Sequence, residues 1–142
     1  MAREYEVTTT KKLISRLLGN AAKLGLGNFI VLTTTGSRSD EQRQVTLAPI
    51  SDEDGEYLVS PYGDSAWVLN VRSDSRATIR RGASEEAVRL VEVTGEKPGL
   101  VKEYYEREAF ARRFMDVPEG ATLEDFASGP ERFPVFRIDA AG

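Results

Sequence analysis

Asn28-Phe29-Ile30-Val31-Leu32-Thr33-Thr34-Thr35-Gly36-Ser37-Arg38-Ser39-Asp40-Glu41-Gln42-Arg43-Gln44-Val45-Thr46-Leu47 reads as strand, polar loop, strand. Phe29 to Leu32 is a short apolar run rich in β-formers, as a buried strand requires. Thr33 to Thr35 keep that propensity and add hydroxyl groups. Gly36 permits a backbone turn that a side chain would obstruct. Arg38 and Arg43 flank the turn. A bent backbone with free N–H groups, hydroxyls and two guanidinium groups makes a cradle for an anion. The plainer reading of the same residues is a β-hairpin with solvated arginines.

Upstream, Thr8 to Leu24 has helical periodicity, with Leu13, Ile14, Leu17, Leu18, Ala21 and Leu24 on one stripe. Thr9 or Thr10 can cap its start and Gly25 can end it. Such a face packs on a core. Lys11, Lys12, Arg16 and Lys23 also allow residues 8–24 a weak contact with an anionic membrane surface.

Downstream, Gln42 to Ile50 reads as one strand closed by Pro49, followed by the acidic turn Ser51-Asp52-Glu53-Asp54-Gly55. Glu56 to Ser60 is a third strand. Pro61-Tyr62-Gly63-Asp64 breaks it, and Asp64 or Ser65 caps a short helix from Ala66 to Arg72. Ser75 to Arg80 is a strand with Ala77 and Ile79 on one face, and Arg81-Gly82-Ala83-Ser84 turns it into Glu85 to Val93. Leu100 to Phe114 reads as helix, with Val101, Tyr104, Tyr105, Phe110 and Phe114 inward. Thr122-Leu123-Glu124-Asp125 resembles a capping box for a short helix through Ala127. Phe133 to Ile138 is the last strand, and Pro134 near its start suits an edge.

The 142 residues suit one domain, residues 1–27 forming a helical lead and 28–142 a barrel. The net charge of -4 argues against nucleic-acid binding. Residues 1–50 nevertheless hold 7 basic against 4 acidic residues, a local excess that favours a small anion over a polyanion. Without cysteine there is no disulfide, thiolate nucleophile or zinc–thiolate site, and without histidine no Ser-His-Asp machinery. No D-x-D-x-D loop marks a carboxylate metal site. No signal peptide or bilayer-length apolar run is visible, so a cytoplasmic protein is expected. An enzyme of this composition needs a cofactor for its hard chemistry. Short strands joined by hairpins, with no crossover helix after the first, point to a small antiparallel barrel and away from a parallel dinucleotide-binding sheet.

Three ordered stretches resemble the deazaflavin-dependent nitroreductase family of actinobacteria. They are Leu32 to Gly36 with Arg38 and Arg43, then Val59-Ser60-Pro61-Tyr62-Gly63, then Trp67-Val68-Leu69-Asn70-Val71-Arg72. Pro134 to Arg137 fits that family's closing strand. The resemblance implies a mainly β fold with flanking helices: an antiparallel split β-barrel of six to seven strands, related to the flavin reductases and pyridoxamine-phosphate oxidases, with an N-terminal helix. It implies binding of coenzyme F420, a deazaflavin with a phosphate and an oligoglutamate tail. Hydride transfer then runs from the reduced coenzyme to a small acceptor, whether an activated alkene (enone), a quinone or a nitroaromatic. Carried over by position, Arg38 and Arg43 grip the phosphate and tail, and Thr34, Thr35 and Gly36 line the phosphate loop. Ser60, Pro61, Tyr62 and Gly63 pass under the ring, while Trp67 and Asn70 close the pocket and hold the loop.

Two departures stand out. Asp40 and Glu41 lie where relatives carry glycine and a small or basic residue, and carboxylates there repel an anionic tail. Tyr62 stands where some relatives have lysine or a small polar residue. The phosphate loop alone does not separate F420 from FMN, so an FMN-dependent reductase or a pyridoxamine-phosphate-oxidase-like barrel is the alternative. A non-enzymatic deazaflavin carrier is a third reading. Tyr104, Tyr105 and solvent are the proton donors to weigh, although aromatic residues on a helix face commonly anchor a core, so no catalytic residue is assigned. Trp67 has the same plainer reading. The acceptor is set by the N-terminal segment and the Phe110 to Phe126 region, and the chain is a monomer or a homodimer.

Overall fold

The computed structural model describes residues 29–61, 63–93, 97–108, 112, 115, 117, 120–127 and 133–141. The helix expected over Thr8 to Leu24, with its membrane contact, lies outside them. Strand β1 (Ile30–Thr35) pairs antiparallel with β2 (Gln42–Leu47), as their β-rich composition predicts. The register sets Ile30 opposite Leu47, Leu32 opposite Val45 and Thr34 opposite Arg43. Paired residues share a face, so one face of this ribbon is apolar at one end and carries Thr34 and Arg43 at the other.

After Leu47 the chain departs from the expected single strand over Gln42 to Ile50. It breaks at Ala48-Pro49, and Ile50–Asp52 forms a new strand, β3, paired with β4 (Gly55–Val59). Proline has no N–H for a ladder, which ends β2 there. Helix α1 (Ala66–Ser73) follows, then β5 (Arg76–Arg81), β6 (Ser84–Val93), helix α2 (Pro98–Arg107), helix α3 (Leu123–Ala127) and β7 (Val135–Ala140). Among the described residues, seven strands make one sheet in the order β2-β1-β5-β6-β7-β4-β3, and every pairing is antiparallel.

That order forces curvature. A flat sheet of seven strands would hold its edges roughly 29 Å apart. The edges are β2 and β3, and only Ala48 and Pro49 join them. So short a link spans about 11 Å at most. The sheet therefore curls until its edges approach, giving an incompletely closed barrel.

The inward side chains Ile30, Leu32, Leu47, Leu58, Ala77, Ile79, Val88, Leu90 and Phe136 pack around Trp67, Val68 and Val71 of α1, which plugs the barrel. On the outside of β3, β4 and β7, a second cluster joins Ile50, Tyr57, Val59 and Val135 to Leu100, Val101 and Tyr104 of α2 and Phe126 of α3. Pro98 opens α2, where a missing N–H costs nothing. The helix ends at Arg107, short of the expected Phe114, and Phe110 and Phe114 lie outside the described residues. At the expected Thr122 capping box, Thr122 donates its N–H to Asp125 Oδ2 at 2.7 Å, one of the two bonds of that motif.

The last strand is no edge. β7 lies between β6 and β4, and Pro134 sits just before it, where its missing N–H falls outside the ladder. The Pro134 carbonyl accepts the Ser60 N–H at 2.9 Å. Among the described residues no helix is long and apolar enough to cross a membrane.

Candidate functional site

The loop between β1 and β2 is closed by its own backbone, with the Gly36 N–H donating to the Glu41 carbonyl at 2.6 Å. A Cβ on Gly36 would lie 3.1 Å from that carbonyl oxygen and from Ser39 Oγ, a tight fit that favours glycine. Asp40 turns the chain with φ 56°, a left-handed conformation that aspartate tolerates better than most residues. Asn70 of α1 then anchors the loop from below. Its Oδ1 accepts the Ser37 N–H at 2.9 Å, and its Nδ2 donates to Thr34 Oγ1 at 3.2 Å.

These bonds sort the residues that the sequence nominated. Thr34 is buried and spends its hydroxyl on Asn70. Thr35, one residue on, is half-buried and points to the opposite face of the sheet. Arg43 shares the inward face with Thr34 but stands exposed at the rim, its Nε 3.7 Å from where a Gly36 Cβ would lie. It pairs with Glu41, Nη2 to Oε2, at 3.1 Å, their side chains 59% and 67% exposed. Arg38 is also exposed and has no ion-pair partner among the described residues.

The second nominated stretch is equally self-bonded. Ser60 is fully buried, and its Oγ donates to the Gly63 carbonyl at 2.6 Å. Gly63 has φ 81°, which a side chain would strain. Pro61 is buried, and Tyr62 lies outside the described residues. Ser65 holds the position before α1, as expected, but makes no side-chain capping bond. Its hydroxyl instead faces Ser60 Oγ at 3.4 Å. Asp64 does not cap the helix either; it accepts from Arg72 Nη1 at 2.7 Å.

Helix α1 thus touches both loops. Ser65 meets one and Asn70 the other, and five residues of helix rise about 7.5 Å. The helix is fixed in the barrel by Trp67, 5% exposed and edge-on to Phe136 at 5.3 Å. The indole is therefore a core group. Arg72, near the end of the helix, donates to both oxygens of Glu92 on β6 at 2.9 and 2.7 Å as well as to Asp64. Hydrogen bonding to Glu92, then to Asp64, pushes the guanidinium pKa further up. The sequence reading missed Asp64 and Glu92 as a brace for the loop. Arg72 lies within the Trp67 to Arg72 run, but no spacing rule points to a partner 20 residues away on a strand.

Tyr104 is 2% exposed within the outer cluster, and Tyr105 packs on Phe126 with ring centroids 5.5 Å apart. Among the described residues no group of histidine, cysteine, aspartate or glutamate side chains is arranged to hold a metal. The rim of the Gly36 loop presents two exposed guanidinium groups, those of Arg38 and Arg43.

The family model for F420H(2)-dependent quinone reductase matches residues 7–113. Among solved structures, an F420-H2 dependent reductase (FDR-A) is 19% identical with a TM-score of 0.50, covering 79% of this chain and 94% of its own. A pyridoxamine 5'-phosphate oxidase-related, FMN-binding protein from Nostoc punctiforme is 12% identical with a TM-score of 0.55, covering 93% and 80%. The haem storage protein HutZ from Vibrio cholerae is 9% identical with a TM-score of 0.56, covering 81% and 82%. No curated protein matches the sequence. At these identities the structures speak for the fold: the half-closed antiparallel barrel is a split barrel of the pyridoxamine-phosphate-oxidase kind.

Proposed function

The chain belongs to the F420H(2)-dependent quinone reductase family, and from that premise we propose a binding mode and an acceptor class for an F420-dependent oxidoreductase. When bound, reduced F420 supplies a hydride to an electron-poor acceptor: a quinone, an activated alkene such as an enone, or a nitroaromatic.

The residues present fit an anionic coenzyme. Arg38 and Arg43 offer two guanidinium groups at the rim, and bare Gly36 lets the backbone come close beneath Arg43. These groups hold the phosphate end. Ser60, Pro61, Tyr62 and Gly63 support the ring, and Ser60 keeps that segment in shape through Gly63. Asn70 sets the height of the arginine loop, while Trp67 fixes the helix that carries Asn70. The one observation that carries this reading is Asn70, which bonds both Thr34 and Ser37 from a helix that begins in the second loop. Tyr104 is enclosed in the outer cluster and Tyr105 packs on Phe126, so solvent is the proton source among the three weighed.

The test combines binding and turnover. Titration with F420 and with FMN, followed through Trp67 fluorescence, is expected to give binding of F420. Oxidation of the reduced coenzyme is expected with menadione and with a coumarin-type enone. Replacing Arg38 or Arg43 by alanine should weaken F420 binding about three- to tenfold, most at low salt, as loss of one exposed charge contact predicts. Variants that titrate like the parent would exclude the phosphate assignment. Tight binding without turnover across quinones, enones and nitro compounds would make the protein a carrier.

A further inference from the structure

We propose that Glu41 is a built-in competitor for the anion at the Gly36 loop, so that this chain favours a ligand with few negative charges over one with many. The inference rests on the binding mode proposed above.

Arg38, Asp40, Glu41 and Arg43 make the loop formally neutral, two cations against two anions. The carboxylates do not act alike. Glu41 lies just before β2, two residues from Arg43, and the two side chains meet. Its Oε2 lies 3.1 Å from Arg43 Nη2. The backbone holds it there: the Glu41 carbonyl takes the Gly36 N–H, and Asp40 at φ 56° sets the turn. The side chain itself stays in water, 67% exposed. Arg43 therefore enters any encounter already paired, whereas Arg38 has no such partner among the described residues.

An anion that takes Arg43 must displace Glu41 or settle beside it. Displacement alone costs little, because exposed pairs are weak. Repulsion by a carboxylate that stays grows with each negative charge the ligand brings. A single phosphate can use Arg38 and tolerate Glu41. A long run of carboxylates meets Glu41 and Asp40 again and again. The departure at positions 40 and 41 thus becomes a specificity device within a loop that still binds.

Equilibrium binding tests this, with Trp67 fluorescence as the readout and no turnover required. The probes are F420 with its full tail and F420 trimmed to a single glutamate, at low and moderate salt. Glu41→Gln should tighten the full-tailed form about three- to fivefold and the trimmed form less than twofold, with a steeper salt dependence. Asp40→Asn should shift both in the same direction by less. The inference is overturned if Glu41→Gln changes neither affinity, or weakens both while the unfolding midpoint holds; in the latter case Glu41 positions Arg43. The underlying binding mode fails separately: the parent would then bind neither probe, or Arg38→Ala would bind both as the parent does.

Discussion

Asn70 makes two hydrogen bonds from one buried amide, and each reaches a different part of the arginine loop. Asn70→Leu removes both and strands Thr34 in a buried place. The expected loss is about 1–3 kcal/mol of stability, read as a lower urea midpoint. F420 affinity should fall further than stability alone explains, because the loop loses its anchor. Asn70→Asp still accepts from Ser37 but sets a buried carboxylate beneath the anion loop, so it should not recover that affinity. At this scale the sequence was informative about residue type and silent about partners. Arg38, Arg43 and Gly36 stood out because turn chemistry and charge are local properties, whereas Asn70 was nominated by the resemblance. The pairing of Arg43 with Glu41 was not read from the sequence, where Glu41 figured only as a carboxylate beside the expected tail. The bonds from Asn70 cross separations of 33 and 36 residues, which no local pattern encodes.

A helix or strand is held by what braces it, and two ionic braces do this here. Arg72 clamps α1 to β6 and to the Ser60 loop. Lys97, at the start of α2, reaches Asp52 at 2.8 Å and Asp54 at 2.6 Å across the β3–β4 hairpin, and its ammonium lies 5.4 Å from the Tyr57 ring centre. The Lys97 hydrogen bond holds the Asp52 carboxyl below the usual value of 3.8, helped by N–H groups of its own turn. A depressed carboxylate contributes stability that is in place above the unfolded value and fades as pH falls through the lower folded one. Asp52→Asn should therefore melt below the parent at neutral pH, and the gap in Tm should close as pH drops under that carboxylate range. Equal gaps at both ends would exclude the brace. Elements were legible wherever propensity and turns agree, as at Gly82, whose φ of 59° joins β5 to β6. They were misread where pairing decides. Val45 to Leu47 and Ile50 are β-formers, and only Pro49 hinted that one strand ends and another begins at the far edge. Pro134 likewise suggested an edge for a strand that runs through the middle.

At the scale of the molecule, the described residues build one sheet with apolar material on both faces, the inner cluster around α1 and the outer one under α2 and α3. Phe136, 1% exposed and in contact with Trp67, links β7 to the plug. Phe136→Ala should cost about 3–5 kcal/mol and move the Trp67 emission toward longer wavelength. A stable variant with unchanged emission would remove Trp67 from the barrel interior. Barrel closure was not visible in hydrophobic periodicity, since an open sheet with two covered faces has the same pattern. It follows from strand order together with the two-residue Ala48-Pro49 link between the edge strands. The position of β7 also bears on how the fold assembles. Without it, the paired strands form two pieces, β2-β1-β5-β6 and β4-β3, tied through the chain at Ala48-Pro49 and through α1. A chain in which Val135 to Ala140 cannot pair keeps both pieces but leaves the barrel wall open between β6 and β4.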